Sequence, residues 1–144
     1  MLHRFAFVFL SVLAGSALAL EYRAVNEPSI LYNAPATKAA RLFIIARYTP
    51  VEVVVTVAGW AKVRDIKGNL AWIESKSLGM GRTVLVRAEK AQVYAQADEK
   101  STKVFEAEKD VALELVDANP AGWAKVKHRD GQAGFVKVAQ VWGL

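Results

Sequence analysis

Gly59-Trp60-Ala61-Lys62-Val63 returns as Gly122-Trp123-Ala124-Lys125-Val126, sixty-three positions downstream. After this run the same offset pairs Gly68 with Gly131, Trp72 with Phe135, Ile73 with Val136 and Leu78 with Val141. Before it, an offset of sixty-two pairs Tyr32 with Tyr94, Phe43 with Phe105, and Val51-Glu52-Val53 with Leu113-Glu114-Leu115. One residue inserted just ahead of the second Gly-Trp accounts for the change. The chain therefore carries one small module twice. The period exceeds the 20–50 residues of solenoid repeats, so two complete small domains are expected rather than a stack of dependent units.

The pattern inside each module is that of short strands. Val51 to Val57 is β-branched and alternates with period two, which predicts Val51, Val53, Val55 and Val57 on one face. Val111 to Val116 is its copy, and Ala40–Ile45 and Arg82–Arg87 read as further strands. Ile66-Lys67-Gly68-Asn69 and Arg129-Asp130-Gly131-Gln132 read as Gly-centred hairpin turns. Pro35, Pro50 and Pro120 punctuate loops. Strands recur every 8–12 residues with no helical period between them, so the expectation is all-β, built as two tandem small β-barrels. Residues 20–80 form the first domain and 81–144 the second, with Gly79-Met80-Gly81 as a hinge.

Met1 to Ala19 reads as a secretory signal peptide. His3 and Arg4 precede the apolar run Phe5 to Leu13, and Ala17-Leu18-Ala19 fits a small-x-small cleavage site. A membrane span needs about 20 apolar residues, roughly twice this run, so cleavage after Ala19 is expected rather than retention as an anchor. The mature chain then starts at Leu20 and keeps 144 − 19 = 125 residues. It has no integral membrane segment and a periplasmic or secreted address. With no cysteine in the chain there is no disulfide, thiolate metal site, thiol nucleophile or lipidated N-terminal Cys. A domain of this size without staples buries little surface, which predicts that the two copies share an interface.

Removing Arg4 takes the net charge from +5 to +4. Residues 20–80 carry eight Lys and Arg against five Asp and Glu, and residues 81–144 carry ten against nine, so the excess lies in the first copy. For an exported protein the natural anionic partners are wall polymers or membrane surfaces, and nucleic acid is not expected.

Each copy resembles a bacterial SH3 (SH3b) domain. The resemblance rests on a Leu/Val-Tyr strand, an apolar strand, a Val-Glu-Val strand, Gly-Trp-x-Lys-Val, a Gly turn, an aromatic-Ile/Val pair and a closing Leu or Val. Copy one shows these as Leu31-Tyr32, Leu42-Phe43, Val51-Glu52-Val53, Gly59 to Val63, Gly68, Trp72-Ile73 and Leu78. Copy two shows Val93-Tyr94, Val104-Phe105, Leu113-Glu114-Leu115, Gly122 to Val126, Gly131, Phe135-Val136 and Val141. Neither copy has the Asn-Val-Arg-x-Gly-Pro-Ser stretch of many family members. The resemblance implies SH3-like barrels and a targeting role in the cell envelope. It also likens Trp60 to the ligand-gripping Trp of eukaryotic SH3 domains, and Tyr32 to the first Tyr of their Ala-Leu-Tyr-Asp-Tyr strand.

Strand alternation sets Trp60, Lys62 and Arg64 on one face and Ala61 and Val63 on the other. Trp123, Lys125 and Lys127 repeat this against Ala124 and Val126. Small and β-branched residues suit a core, which leaves an aromatic and two cations outside, a platform for sugars, peptides or carboxylate-bearing stems. Tyr32 and Tyr94 complete the candidate ligand-binding set. The competing reading has Trp60 and Trp123 capping the core or filling the seam between copies. Trp72 and Phe135, bracketed by apolar neighbours, read as structural, and Trp142 as packing between the copies.

Catalytic constellations are not expected. His128, the one histidine after the signal, sits at a turn beside Arg129 and Asp130. No Gly-x-Ser-x-Gly occurs, no metal-ligand spacing, and no phosphate-cradling loop. Glu52 and Glu114 lie singly on strands, where pairing with a nearby Lys or Arg explains them. No cofactor is implied, and the chain ends at Leu144 directly after copy two, with no attached enzyme expected. The consequent function is a non-catalytic binding module of the cell envelope, for peptidoglycan peptide or glycan or an envelope protein. The alternative is a contact regulator or degenerate accessory of a wall hydrolase.

Overall fold

The computed structural model describes residues 20–119 and 121–144; the signal reading of Met1 to Ala19 falls outside them. Copy one holds β1 (Glu21–Ala24), β2 (Ser29–Tyr32), β3 (Arg41–Ile45), β4 (Pro50–Val57), β5 (Trp60–Arg64) and β6 (Leu70–Glu74), closed by a 3-10 turn at Ser75–Ser77. Copy two holds β7 (Thr83–Val86), β8 (Lys90–Tyr94), β9 (Lys103–Glu108), β10 (Ala112–Asn119), β11 (Trp123–Lys127) and β12 (Ala133–Lys137), a 3-10 turn at Val138–Gln140, and β13 (Val141–Trp142). The sheets run β1-β4-β5-β6-β2-β3 and β13-β7-β10-β11-β12-β8-β9. The fold is thus all-β and duplicated.

The repeated Gly-Trp run builds the central hairpin of each copy. Gly59 adopts φ 79° and Gly122 φ 94°, left-handed backbone that a β-carbon disfavours, so glycine turns the chain there and tryptophan opens the next strand. Val57 and Trp60 face each other across two intervening residues, whereas Asn119 and Trp123 face each other across three. The inserted residue lies in this hairpin turn.

Two separate cores result. One gathers Val25, Leu31, Val51, Val63 and Ile73, the other Val84, Val93, Leu113, Val126 and Val136. Each strand β5 and β11 sends its Ala and its Val inward, as alternation requires. The alternation in β4 breaks: the ladder to β5 shifts between Val53 and Val55. Only Val51 is fully buried; Val53 is half-buried, and Val54, Val55 and Val57 are exposed. The expected single face of four valines is therefore not formed, because the bulge inserts an extra residue and turns the strand's second half over.

The sheets do not close into barrels. β1 and β3 each have one hydrogen-bonded neighbour in copy one, and so do β13 and β9 in copy two. The turn between consecutive strands β3 and β4 lies against the end of β1. There Tyr48 takes φ 70°, its N–H donates to Val25 O at 2.8 Å, and Thr49 O accepts from Val25 N at 3.0 Å. The turn backbone is bound to the end of β1, while β1 and β3, the outer strands of the sheet, share no ladder. Copy two repeats the device with Asp110, φ 69°, whose N–H donates to Val86 O at 2.9 Å.

The copies touch. Thr83 Oγ1 donates to Tyr48 O at 2.6 Å, and Gly143 lies against Pro50. The Tyr22 ring meets Trp142 edge-on at 5.2 Å and 84°. The Gly79-Met80-Gly81 junction is tied at its first residue, where Gly79 N donates to Ala24 O at 2.7 Å and Arg23 Nε donates to Gly79 O at 2.9 Å. Met80 is 90% exposed.

Candidate functional site

Strand β5 is the centre of copy one's outer face. Ala61 and Val63 are buried while Trp60, Lys62 and Arg64 are half-buried, so the three polar and aromatic side chains do share the face away from the core. Its ladder partners set the neighbours. Lys62 stands opposite Trp72 on β6, and Trp72 stands opposite Tyr32 on β2. Partners across a ladder point to the same side of a sheet. Tyr32, Trp60, Lys62 and Trp72 therefore form one cluster.

Within it, the Tyr32 and Trp60 rings meet edge to face at 5.4 Å and 85°. Tyr32 is buried, 5% exposed, so it holds Trp60 in place rather than offering surface of its own. Copy two reproduces the pair, with Tyr94 and Trp123 at 5.7 Å and 85°. Lys125 stands opposite Phe135, and Phe135 opposite Tyr94. An edge-to-face pair fixes the indole's tilt and leaves part of its face free, which is the geometry a stacking ligand needs.

Trp72 and Phe135, read as structural from their apolar neighbours, are half-buried and lie on the outer face of their sheets. Ala71 and Ile73 point inward, as do Gly134 and Val136, and the aromatic between them turns outward. Apolar neighbours one position away on a strand lie on the opposite face. The alternation was the signal that could have placed them.

The cations divide differently from the whole-domain charge. Arg64 Nη1 donates to both carboxylate oxygens of Glu52, at 3.2 and 3.0 Å, and is neutralised there. Glu74, opposite Trp60, pairs with Lys76 at 3.3 Å. Among the described residues Lys62 is then the cation of that face without an ion pair. In copy two Lys125 and Lys127 are both exposed and, among the described residues, without an ion pair, and Lys137, opposite Trp123, pairs with Glu99. Glu114 and Lys127 face each other as Glu52 and Arg64 do, yet close no ion pair. The excess of positive charge in the first copy does not reach its aromatic face.

His128 lies at the β11–β12 turn, edge-on to Phe105 at 5.8 Å, with Nδ1 accepting from Asp130 N at 3.3 Å. The Asp130 carboxyl is held below its usual range, first by the Gln132 N–H that it accepts at 2.9 Å and then by His128. Among the described residues no group of three His, Asp or Glu side chains could hold a metal, and no helix is long and apolar enough to cross a membrane.

No curated protein matches the chain. Among solved structures it is similar to NlpC1 from Trichomonas vaginalis, with 16% identity and a TM-score of 0.40, over 94% of this chain and 50% of that one. NlpC2 from the same organism shows 15% identity and a TM-score of 0.39, over 86% and 48%. An NlpC/P60 family protein from Bacillus cereus ATCC 10987 shows 15% and 0.39, over 85% and 56%. The chain thus spans about half the length of each. The family model of the bacterial SH3 domain matches twice, at residues 25–79 and 87–143, which are the two halves that carry the duplicated Gly-Trp hairpin. On that match the chain belongs to the bacterial SH3 domain family, as a tandem pair.

Proposed function

We propose that this protein is a non-catalytic binding module of the cell envelope. Its outer aromatic faces would hold peptidoglycan peptide or glycan. The observation that carries the reading is the duplicated Tyr–Trp pair, within 0.3 Å and at the same 85° in both copies, with a lysine two residues after each tryptophan. Stacked sugars use a fixed indole face, and a neighbouring ammonium suits the carboxylates of stem peptides. Family membership supports an envelope role, and the signal reading of Met1 to Ala19 supports an exported one. A protein partner is the second reading. It is favoured by edge strand β3, where Leu42, Phe43 and Ile44 are 46%, 43% and 73% exposed in succession.

Trp60→Ala, assayed by pull-down on purified peptidoglycan sacculi and by thermal melt, tests the reading. A stacked anchor should lose about 2 kcal/mol or more of binding with a smaller change in melting. A packing residue would instead cost about 3–5 kcal/mol of folding stability. Trp123→Ala is the internal control, and Lys125 with Lys127 makes copy two the stronger site for an anionic target. Undiminished binding by the doubly substituted protein, with a normal melt, would remove these faces from consideration.

A further inference from the structure

Between the two sheets lies a cleft of about 540 Å³, lined from both copies and separate from the Tyr–Trp pairs. Arg47 enters it from copy one, Arg82 from the start of copy two, and Lys127 and Arg129 from the β11–β12 end, with His128 alongside. Among the described residues Glu114 is the one acidic residue of its wall. Four permanent cations against one carboxylate make the cleft strongly positive, while the net charge of the whole chain is only +5. Focusing of one sign in a low-dielectric cleft draws in ligands of the other.

Three further observations bear on it. The Arg47 guanidinium lies 4.6 Å from the Tyr48 ring centre and the Arg129 guanidinium 5.4 Å from the same ring. One ring from copy one thus gathers a cation from each copy, and the two repel unless an anion joins them. Tyr48 itself holds φ 70°, at the position where copy two uses Asp110, a residue type that tolerates left-handed backbone. A bulky side chain persists there when its surroundings over-determine it, as the bonds to Val25 O and from Thr83 Oγ1 do, and such positions gather at ligand clamps. Finally, Arg82 donates from Nη2 to Gly143 O at 2.8 Å, but its buried Nε–H has no hydrogen-bond partner among the described residues. A buried donor without an acceptor is costly, so a small shift of the Arg82 side chain toward an anion in the cleft would be favoured.

We propose that this interdomain cleft binds a small multivalent anion carrying phosphate or carboxylate groups, clasped between Arg82 and the Arg47–Arg129 pair. Planar guanidinium groups match both oxyanions bidentately, and the volume falls within the range of about 300–1,000 Å³ usual for small-ligand sites. Since the ligand is held from both copies, binding also locks their relative placement. The proposal does not rest on the wall-binding reading, although Lys127 borders both the cleft and the outer face of copy two.

Calorimetric titration of the full chain with pyrophosphate, and separately with citrate, at constant ionic strength tests the proposal. One saturable site per chain is expected for at least one anion, and the tighter of the two tells whether phosphate or carboxylate is the preferred group. The double variant R47Q/R129Q should bind at least about tenfold more weakly, since each lost charge-assisted pair is worth about that factor. Both residues are exposed, so the variant should melt like the wild type; were it to melt early, R129Q alone should weaken binding in the same direction. E114Q should tighten binding by removing the opposing charge, and Trp60→Ala should leave it unchanged. No saturable heat from either anion would overturn the proposal, as would equal affinity in the arginine variants.

Discussion

At the scale of single residues, the two copies put the same pair of residue types to different use. Glu52 is 12% exposed in its side chain and Arg64, at 41%, lies over it with both carboxylate oxygens in reach of one nitrogen. Glu114 and Lys127 occupy the same ladder positions, but both are exposed and both line the cleft. Lysine is a compact, well-hydrated charge, whereas the delocalised guanidinium tolerates partial burial beside a carboxylate. Arg64→Ala leaves the Glu52 carboxylate partly buried without its partner, and should cost about 1–3 kcal/mol of folding stability in a denaturant melt. Lys127→Ala uncovers no buried carboxylate and should stay within about 0.5 kcal/mol of the wild type. Equal losses in the two variants would contradict the assignment of Glu52 as a partly buried, paired acid.

At the scale of elements, the repeated strands are not interchangeable. β12 carries Gly134 where β6 carries Ala71. A β-carbon at Gly134 would come within 2.5 Å of Tyr94 O and 2.8 Å of Val93 Cγ1 on β8. Copy two thus brings β12 and β8 together at a spot where only glycine fits. Replacing glycine by alanine in a strand ordinarily gains about 0.4–1 kcal/mol by restricting the unfolded chain. Here the overlap is with backbone, which cannot swing aside, and overpacking of that kind costs about 1–3 kcal/mol. Gly134→Ala should therefore lower the melting temperature, and since Tyr94 supports Trp123 it should also reduce the near-ultraviolet signal of that indole. A higher melting temperature would show that β8 and β12 part without strain.

At the scale of the whole molecule, the seam joins β1 and the head of β4 to β7 and β13. Tyr22 sits at its centre, edge-on to Trp142 and under the Arg82 guanidinium at 5.8 Å. Burial, and then the Glu52 carboxylate, push the Tyr22 phenol above its ordinary value. A group whose folded value is raised contributes stability that is complete below its unfolded value, about 10 for a phenol, and lost as pH rises through the folded one. Tyr22→Phe keeps the ring contact and removes the titration. Wild-type protein should thus lose melting temperature more steeply than Tyr22→Phe as the pH rises above about 10, and the two should run parallel at neutral pH. Parallel curves throughout would detach Tyr22 from the seam's stability.

Duplication, all-β character and the outward setting of Trp60 and Trp123 were legible in the chain because they depend on local rules. A repeat is visible as identity, strand period is visible as alternation, and glycine before tryptophan marks a turn. The expectation that a lone acid on a strand takes a nearby cation held for Glu52, which pairs with Arg64, and failed for Glu114, which closes no ion pair among the described residues. What depends on contacts between distant segments was not. The bulge at Val53–Val55 preserves the valine pattern while turning half the strand outward, so composition could not reveal it. The turns at Tyr48 and Asp110 bind the ends of β1 and β7, partners far along the chain, and the sheets stay open at their outer strands. The cluster of Arg47, Arg82, Lys127 and Arg129 comes from three segments that only folding assembles. Charge counted per domain placed the cationic surface in copy one, whereas pairing in space removes Arg64 from it and draws four cations into the seam. Sequence determines what each strand can present; the long-range ladders and ion pairs decide which of those groups meet.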